Sequence, residues 1–332
     1  MPYDERDYMR RLRTIGVLAA AVTALALLPG SASAAGGSSG SAGSAGSGVR
    51  AVKADRSVDV RGTTNVTRTN GFAVYTEFTG TMAAGAEQYW IWTNIGLNTA
   101  YRVGFNPAGA STSSPCSFEV VNDFYERLAS GERRYHFIFR NISGISCGAT
   151  VLLSAASAVT GPSAGGMNPG ETKVLTHNLG QDGTNAYLAG LVPSGATSSQ
   201  TCQFKVLRTW YHRLRQGDVS TPTYLKVEVQ NVGAITCVAN LEVGSDPVDS
   251  LLPTYTLNPG QQTVKHWNNA NPTSAVHLIS IQPEEVGCAI EVTRYYYRQV
   301  INSNGASERE LYFTLRNVGT IACSFRPSLA RI

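Results

Sequence analysis

Few residues in this chain have the type and spacing for chemistry. Gly144-Ile-Ser-Cys-Gly148 and Gly36-Gly-Ser-Ser-Gly40 match Gly-x-Ser-x-Gly, which at a strand-to-helix elbow exposes a nucleophilic serine. The first lies in a phrase that returns as Asn231-Val-Gly-Ala-Ile-Thr-Cys237 and Asn317-Val-Gly-Thr-Ile-Ala-Cys323, where Ser146 gives way to Thr236 and Ala322, and it joins strand to strand. The second lies in a run of glycine, serine and alanine. Neither serine has a partnered base to activate it. The five histidines, His136, His177, His212, His266 and His277, form no metal-spaced pair and read as surface or half-buried residues. There is no CxxC, HExxH, phosphate loop or calcium loop, so no catalytic residue, metal or cofactor is expected.

What remains is recognition surface. Aromatic residues cluster at Tyr89-Trp90-Ile-Trp92, Phe124-Tyr125, Trp210-Tyr211, Tyr295-Tyr-Tyr297 and Trp267. Two readings stand side by side. They are core packing, or Trp92, Tyr125, Trp210, Tyr211, Tyr295, Tyr297 and Trp267 form a face that stacks on sugar rings or on a protein. Arg127, Arg213, Arg215 and Arg298 then supply a polar rim.

The elements that would position them come in three copies. The second cysteine of each copy ends the phrase at Cys147, Cys237 and Cys323, spaced 90 and 86 residues apart, and the first cysteines, Cys116, Cys202 and Cys288, stand 86 and 86 apart. A period this long indicates repeated small domains, and the repeat selects three internal disulfides: Cys116 to Cys147, Cys202 to Cys237 and Cys288 to Cys323.

Each first cysteine opens a strand with alternate apolar residues, such as Cys116, Phe118 and Val120, whose partners Ser117 and Glu119 are expected to be wet. A tyrosine follows nine residues after the cysteine, then a glycine turn and a strand such as Tyr135, Phe137, Phe139, with His136 looking outward. Five or six short strands per copy and no helical period predict an all-β chain of three tandem antiparallel immunoglobulin-like β-sandwich repeats, spanning 63–157, 158–247 and 248–332. Short linkers rich in Gly, Pro, Ser and Asp suggest copies placed end to end.

Ahead of the copies, Arg10, Arg11 and Arg13, an apolar run from Ile15 to Leu28 and Ala32-Ser-Ala34 read as an export signal over 1–34, giving a secreted protein with no membrane insertion. Residues 35–62 form an arm. In it Gly36, Gly37, Ser41, Gly43, Gly46 and Gly48 sit in a stretch with no side chain larger than serine, either a spacer or an element that threads a partner's groove, and Val58 and Val60 alternate as in a short strand. With a formal charge of only +4 and no basic run among aromatics, nucleic acid is not an expected partner.

The signal, the arm over 36–48 and the disulfide-bonded β-domains together resemble the adaptor subunit of the umbrella-shaped secreted toxin particles of filamentous actinobacteria. That resemblance implies a non-enzymatic adaptor that joins secreted proteins, with the arm seated in a partner's groove. The alternative from the residues is a cell-wall or carbohydrate-binding protein that meets a cell-surface glycan through its aromatic strand ends.

Overall fold

The computed structural model describes residues 53–61, 66–69, 72–181, 183–216, 221–271 and 273–332. The expected export signal and the arm glycines and serine from Gly36 to Gly48 lie outside them. Twenty strands and no helix make up the described residues. The first copy contains β1 (Arg56–Asp59), β2 (Val66–Thr69), β3 (Phe72–Met82), β4 (Glu87–Thr93), β5 (Thr99–Ala108), β6 (Cys116–Arg127), β7 (Arg133–Asn141) and the start of β8 (Cys147–Met167). The second continues with β9 (Thr172–Asn178), β10 (Asn185–Ser194), β11 (Cys202–Arg213), β12 (Thr223–Asn231) and β13 (Cys237–Pro247). The third has β14 (Ser250–Leu251), β15 (Tyr255–Leu257), β16 (Gln262–Trp267), β17 (His277–Pro283), β18 (Ala289–Ile301), β19 (Ser307–Asn317) and β20 (Cys323–Arg331).

Each copy places three strands in an inner sheet, β4-β7-β6, β9-β12-β11 and β16-β19-β18, to which the first copy adds β1 beside β4, and the rest lie in outer sheets. The outer strand β8 is long enough to serve two copies, pairing with β3 and β5 up to Ser157 and with β13 from Ala158. The disulfides Cys116–Cys147, Cys202–Cys237 and Cys288–Cys323 form as the repeat implies, and each joins an inner strand, or for Cys288 the residue just before one, to an outer strand.

The repeated phrase explains itself at atomic level. In the buried side chain of Asn317 the amide donates to Leu257 O and Ile321 O, both at 2.8 Å, and Oδ1 accepts from Gly319 N at 2.9 Å. Asn231 makes the matching bonds to Met167 O, Ile235 O and Gly233 N, and Asn141 those to Met82 O, Ile145 O and Ser143 N. One side chain therefore ties its own turn to the far strand across the sandwich and pairs three backbone groups, one of them fully buried. The glycine of the phrase answers to space: a Cβ on Gly319 would come 3.1 Å from Gly287 O, and one on Gly233 would come 3.1 Å from Gln203 N.

The copies do not lie end to end. The last residues of β6 pair with the first of β11, the last of β11 with the first of β18, and the last of β18 with the first of β6. Three head-to-tail seams thus close a triangle, which is how a heterologous contact ends in a ring. Residues from Lys53 on belong to one compact unit as a result. A register shift falls at the same place in each of the three strands, after Val120, Val206 and Val292. Such a bulge bends a strand, and here it lets one strand leave its own sheet and enter its neighbour's. Where the outer sheets meet, a second core of small side chains forms from Ala100, Ala186, Leu188, Val276 and Leu278.

Two local expectations are overturned, the first by ring closure and the second by packing within the first copy. Ser117 and Glu119, expected to be wet, are buried because β18 lies across them. His136, expected to look outward, is buried between Phe124, stacked at 4.3 Å, and the Glu126 carboxylate.

Candidate functional site

The seven aromatic residues expected to form a face divide into two groups. Tyr125, Tyr211 and Tyr297 are buried in the seams, each opposite the residue two after the next copy's first cysteine: Phe204, Ile290 and Phe118. They are mortar between copies and cannot reach a ligand outside. Trp92 is also buried, packed by Tyr75 at 5.8 Å and lying in register with Val58 of β1. The strand alternative is therefore realised at Val58, with Val60 in the turn just beyond β1, and it closes this tryptophan off. Trp210, Tyr295 and Trp267 keep some exposure, but the Arg102 guanidinium lies 3.8 Å over the Tyr295 ring and Arg208 lies 4.9 Å over Trp210. Cations thus cover the faces on which a sugar would stack. Of these three, Trp267 alone has no arginine or lysine of the described residues over its ring.

Three places have the concavity or chemistry of a site. The first is a depression of about 250 Å³ where β6, β11 and β18 meet, lined by Arg102, Asp123, Tyr135, Arg208, Arg294 and Tyr295 among others. Several of its charges are spent on the protein, although Arg102 Nε and Nη2 are buried without a hydrogen-bond partner among the described residues. Arg208 pairs with Glu228 at 2.6 Å and Arg294 with Glu119. Asp123 accepts from Tyr135 Oη at 2.6 Å, and burial raises its pKa despite that bond and the nearby Lys205 and Arg102.

The second is a chain of polar groups in the seam between copies one and two. Tyr89 Oη lies 2.6 Å from His136 Nδ1, and His136 Nε2 lies 3.0 Å from Glu126. Burial pushes the Glu126 carboxyl up, but hydrogen bonds from His136, Gln203 and Thr201 outweigh it and hold the group at about 2. An ionised carboxylate only accepts, so His136 Nε2 carries a proton and donates to Glu126, while Nδ1 lies against the phenol. The order Tyr–His–Glu imitates a nucleophile relay. Its phenol is pushed the wrong way, up to about 12, by burial and by Glu126. A nucleophile needs a depressed pKa or a base free to take its proton, so these groups tie the seam together through Thr201 and Gln203.

The third is a cleft of about 390 Å³ at the end of β16, lined by Asp249, Trp267, Asn269, Asn271, His277 and Arg331 with Ser250 and Leu329. It exists because of a substitution between copies. Tyr75 pairs with Leu153 and Ser250 with Leu329, each partner six residues past the second cysteine of its copy, so Ser250 stands where the ring covering Trp92 stands in copy one. With serine there, Trp267 is left half open. Asp249 accepts from the Arg331 backbone N–H at 2.7 Å and from its Nε at 3.1 Å, closing one wall.

Sequence reasoning missed this cleft, since its signal is the loss of one aromatic at a position the repeat aligns only through the sheet register. Among the described residues the single cluster of metal-type ligands is Glu285 with Cys288 and Cys323, and both sulfurs are committed to a disulfide. Comparison with protein-family models, with curated proteins and with solved structures gives no match.

Proposed function

We propose that this chain is a secreted, non-enzymatic adaptor: three tandem immunoglobulin-like sandwiches of about 86 residues, closed into a ring, that carry an N-terminal arm to partner proteins. Three disulfides are typical of extracellular proteins, which fits the export signal expected over 1–34.

The observation that carries the reading is the anchorage of the arm's root. Arg56–Asp59 lies as a parallel strand on β4, Arg56 pairs with Glu77, and the Asp59 carboxylate accepts from Asn94 Nδ2 at 2.9 Å. A segment that begins from a strand of a rigid ring can transmit the position of whatever it grips, which is what an adaptor requires. The buried seam tyrosines support the same reading, because, of the two alternatives for them, core packing and a ligand face, they take the first and act as joints between copies.

The test is capture from culture medium with the intact protein and with a form lacking residues 35–48. A protein partner lost on deletion supports the adaptor. Undiminished capture, or retention on wall polysaccharide alone, would sink it.

A further inference from the structure

The covered edge of the first copy is a template for the bare edge of the third. β1 runs parallel to β4 with Val58 opposite Trp92. Asp55 accepts from Tyr89 N at 2.8 Å, and Asp59 accepts from Asn94 Nδ2 at 2.9 Å. The inner-sheet register places Val264, Trp267 and Asn269 where Tyr89, Trp92 and Asn94 stand, since Trp92 pairs with Tyr135 and Trp267 with Leu311, each six residues before the buried asparagine of its copy. The match extends to the backbone, for Asn94 and Asn269 share the left-handed φ of 57°.

Among the described residues no strand pairs with the outer side of β16, and Val264 is 59% exposed. Its N–H points away from the sheet. Gly260 and Gln261 bond to Asn317, so the alternation assigns Thr263, Lys265 and Trp267 to β19 and leaves Val264 and His266 free. β16 carries Lys265 and His266 and no acid.

We propose that the free edge of β16 and the cleft at Trp267 form a docking site for an extended acidic segment of a partner protein. The segment lies parallel to β16 and carries the pattern Asp-x-x-Val-Asp that β1 presents to β4. The first aspartate accepts from Val264 N, the valine side chain lies against Trp267 in the space that Ser250 leaves open, and the second aspartate accepts from the Asn269 amide. Main-chain bonds supply affinity and the two acids fix the register, as in other strand additions. The corresponding edge of β9 has His177 and Leu179 at the tryptophan and asparagine positions and serves as the internal control. This inference concerns a surface remote in sequence from the arm and stands whether or not the arm grips a partner.

The experiment uses a synthetic peptide with the sequence of residues 54–60, titrated calorimetrically into the intact protein. The tethered β1 outcompetes it at β4 by effective concentration. Saturable one-to-one binding is expected. Val264→Pro, which removes an outward N–H from an edge strand, should weaken it at least about tenfold. Asn269→Asp, which sets a like charge against the second aspartate and suits a left-handed backbone, should weaken it similarly without relying on how the proline folds. Val174→Pro on β9 should leave it unchanged. Absence of saturable binding, or binding unaffected by Val264→Pro and Asn269→Asp, overturns the proposal. Capture of a neutral oligosaccharide that Trp267→Ala abolishes, with no peptide binding, overturns it in favour of a glycan cleft.

Discussion

Arg133 and Arg309 stand at one position of the repeat, eight residues before Asn141 and Asn317, and the second copy has Thr223 there. Both arginines are buried and cross a seam. Arg133 donates to Leu191 O of the second copy from Nε and Nη2, and to the Gly96, Leu97 and Thr99 carbonyls of its own. Arg309 donates to Phe105 O of the first copy at 2.8 Å and to Ala270 O and Ala275 O of the third. Leu191 and Phe105 each lie eleven residues before their copy's first cysteine, so the two seams solve one problem in one way. The seam between copies two and three solves it differently. There the half-exposed Arg213, at the end of β11, donates to Pro283 O at 2.9 Å and Thr221 Oγ1 at 3.1 Å, while Tyr211 Oη donates to Ile279 O at 3.3 Å. Strand carbonyls left over where one sheet enters the next must find donors; which residue supplies them is open, provided the donors arrive.

The largest effects should come from breaking the two buried arginines. Met in place of Arg133 or Arg309 leaves several carbonyls buried without a donor, and the expected loss is about 3–5 kcal/mol, in the range for dismantling a buried charged group's bonds. Arg213→Met, at a half-exposed strand end, should cost within about 1 kcal/mol. Urea unfolding with the disulfides intact measures all three. Equal losses would mean that the seams do not differ in kind.

Next come the positions where the seam tyrosines meet the neighbouring outer strand. Gly104, Gly190 and Ser280 correspond, and a Cβ on Gly190 would come 3.0 Å from Ala100 Cα and 3.3 Å from Tyr125 Oη. One on Gly104 would come 3.0 Å from Val276 Cγ2. Gly190→Ala and Gly104→Ala should each cost about 1–3 kcal/mol by overpacking. The third seam already accommodates a side chain, and there Ser280→Ala should cost less than about 1 kcal/mol. A shift in melting temperature as large for Ser280→Ala as for Gly190→Ala would erase this distinction.

The same seams show what could be read from the chain beforehand. The cysteine pairs and the Asn phrase were legible because they act within one copy: the repeat aligns Asn141, Asn231 and Asn317, and the cysteines of each copy can reach only one another. Tyr125, Tyr211 and Tyr297 were visible as a repeated aromatic but not as joints, since their partners Phe204, Ile290 and Phe118 belong to the next copy, and alternation reports that a face is buried without saying by what. Glu119 was misread for that reason, whereas His136 is covered from within its own copy by Phe124, Tyr89 and Glu126. Trp92 and Trp267 look alike in sequence; what separates them is Tyr75 against Ser250, and β1 on one edge and not the other.

The smallest effect concerns pH and separates the third copy from the other two. His277 occupies the place of Tyr101 and Tyr187, four residues before Ile281 as they are before Phe105 and Leu191. It is 1% exposed, and its backbone N–H donates to Tyr297 Oη at 2.9 Å. Burial, followed by the charges of Arg309, Arg331 and Arg102, lowers its pKa from 6.5 to about 3. Between those values the unfolded chain binds a proton that the folded one refuses, so the stability from neutral His277 is fully present above pH 6.5 and is lost as pH falls toward 3. The slope approaches at most about 1.4 kcal/mol per pH unit. Asp246 works in the opposite sense, because burial and then Asp249 raise it from 3.8 to about 6, and its contribution is lost as pH rises through that window. The two partly cancel in the wild-type protein, so the readout is a difference. His277→Gln should lose about 1–2 kcal/mol less than the wild type between pH 7 and 5, while keeping the Asp246 component. Parallel stability curves for the two proteins would show that His277 takes up its proton without opening the fold, and that the third copy is no more acid-sensitive than the tyrosine-bearing copies beside it.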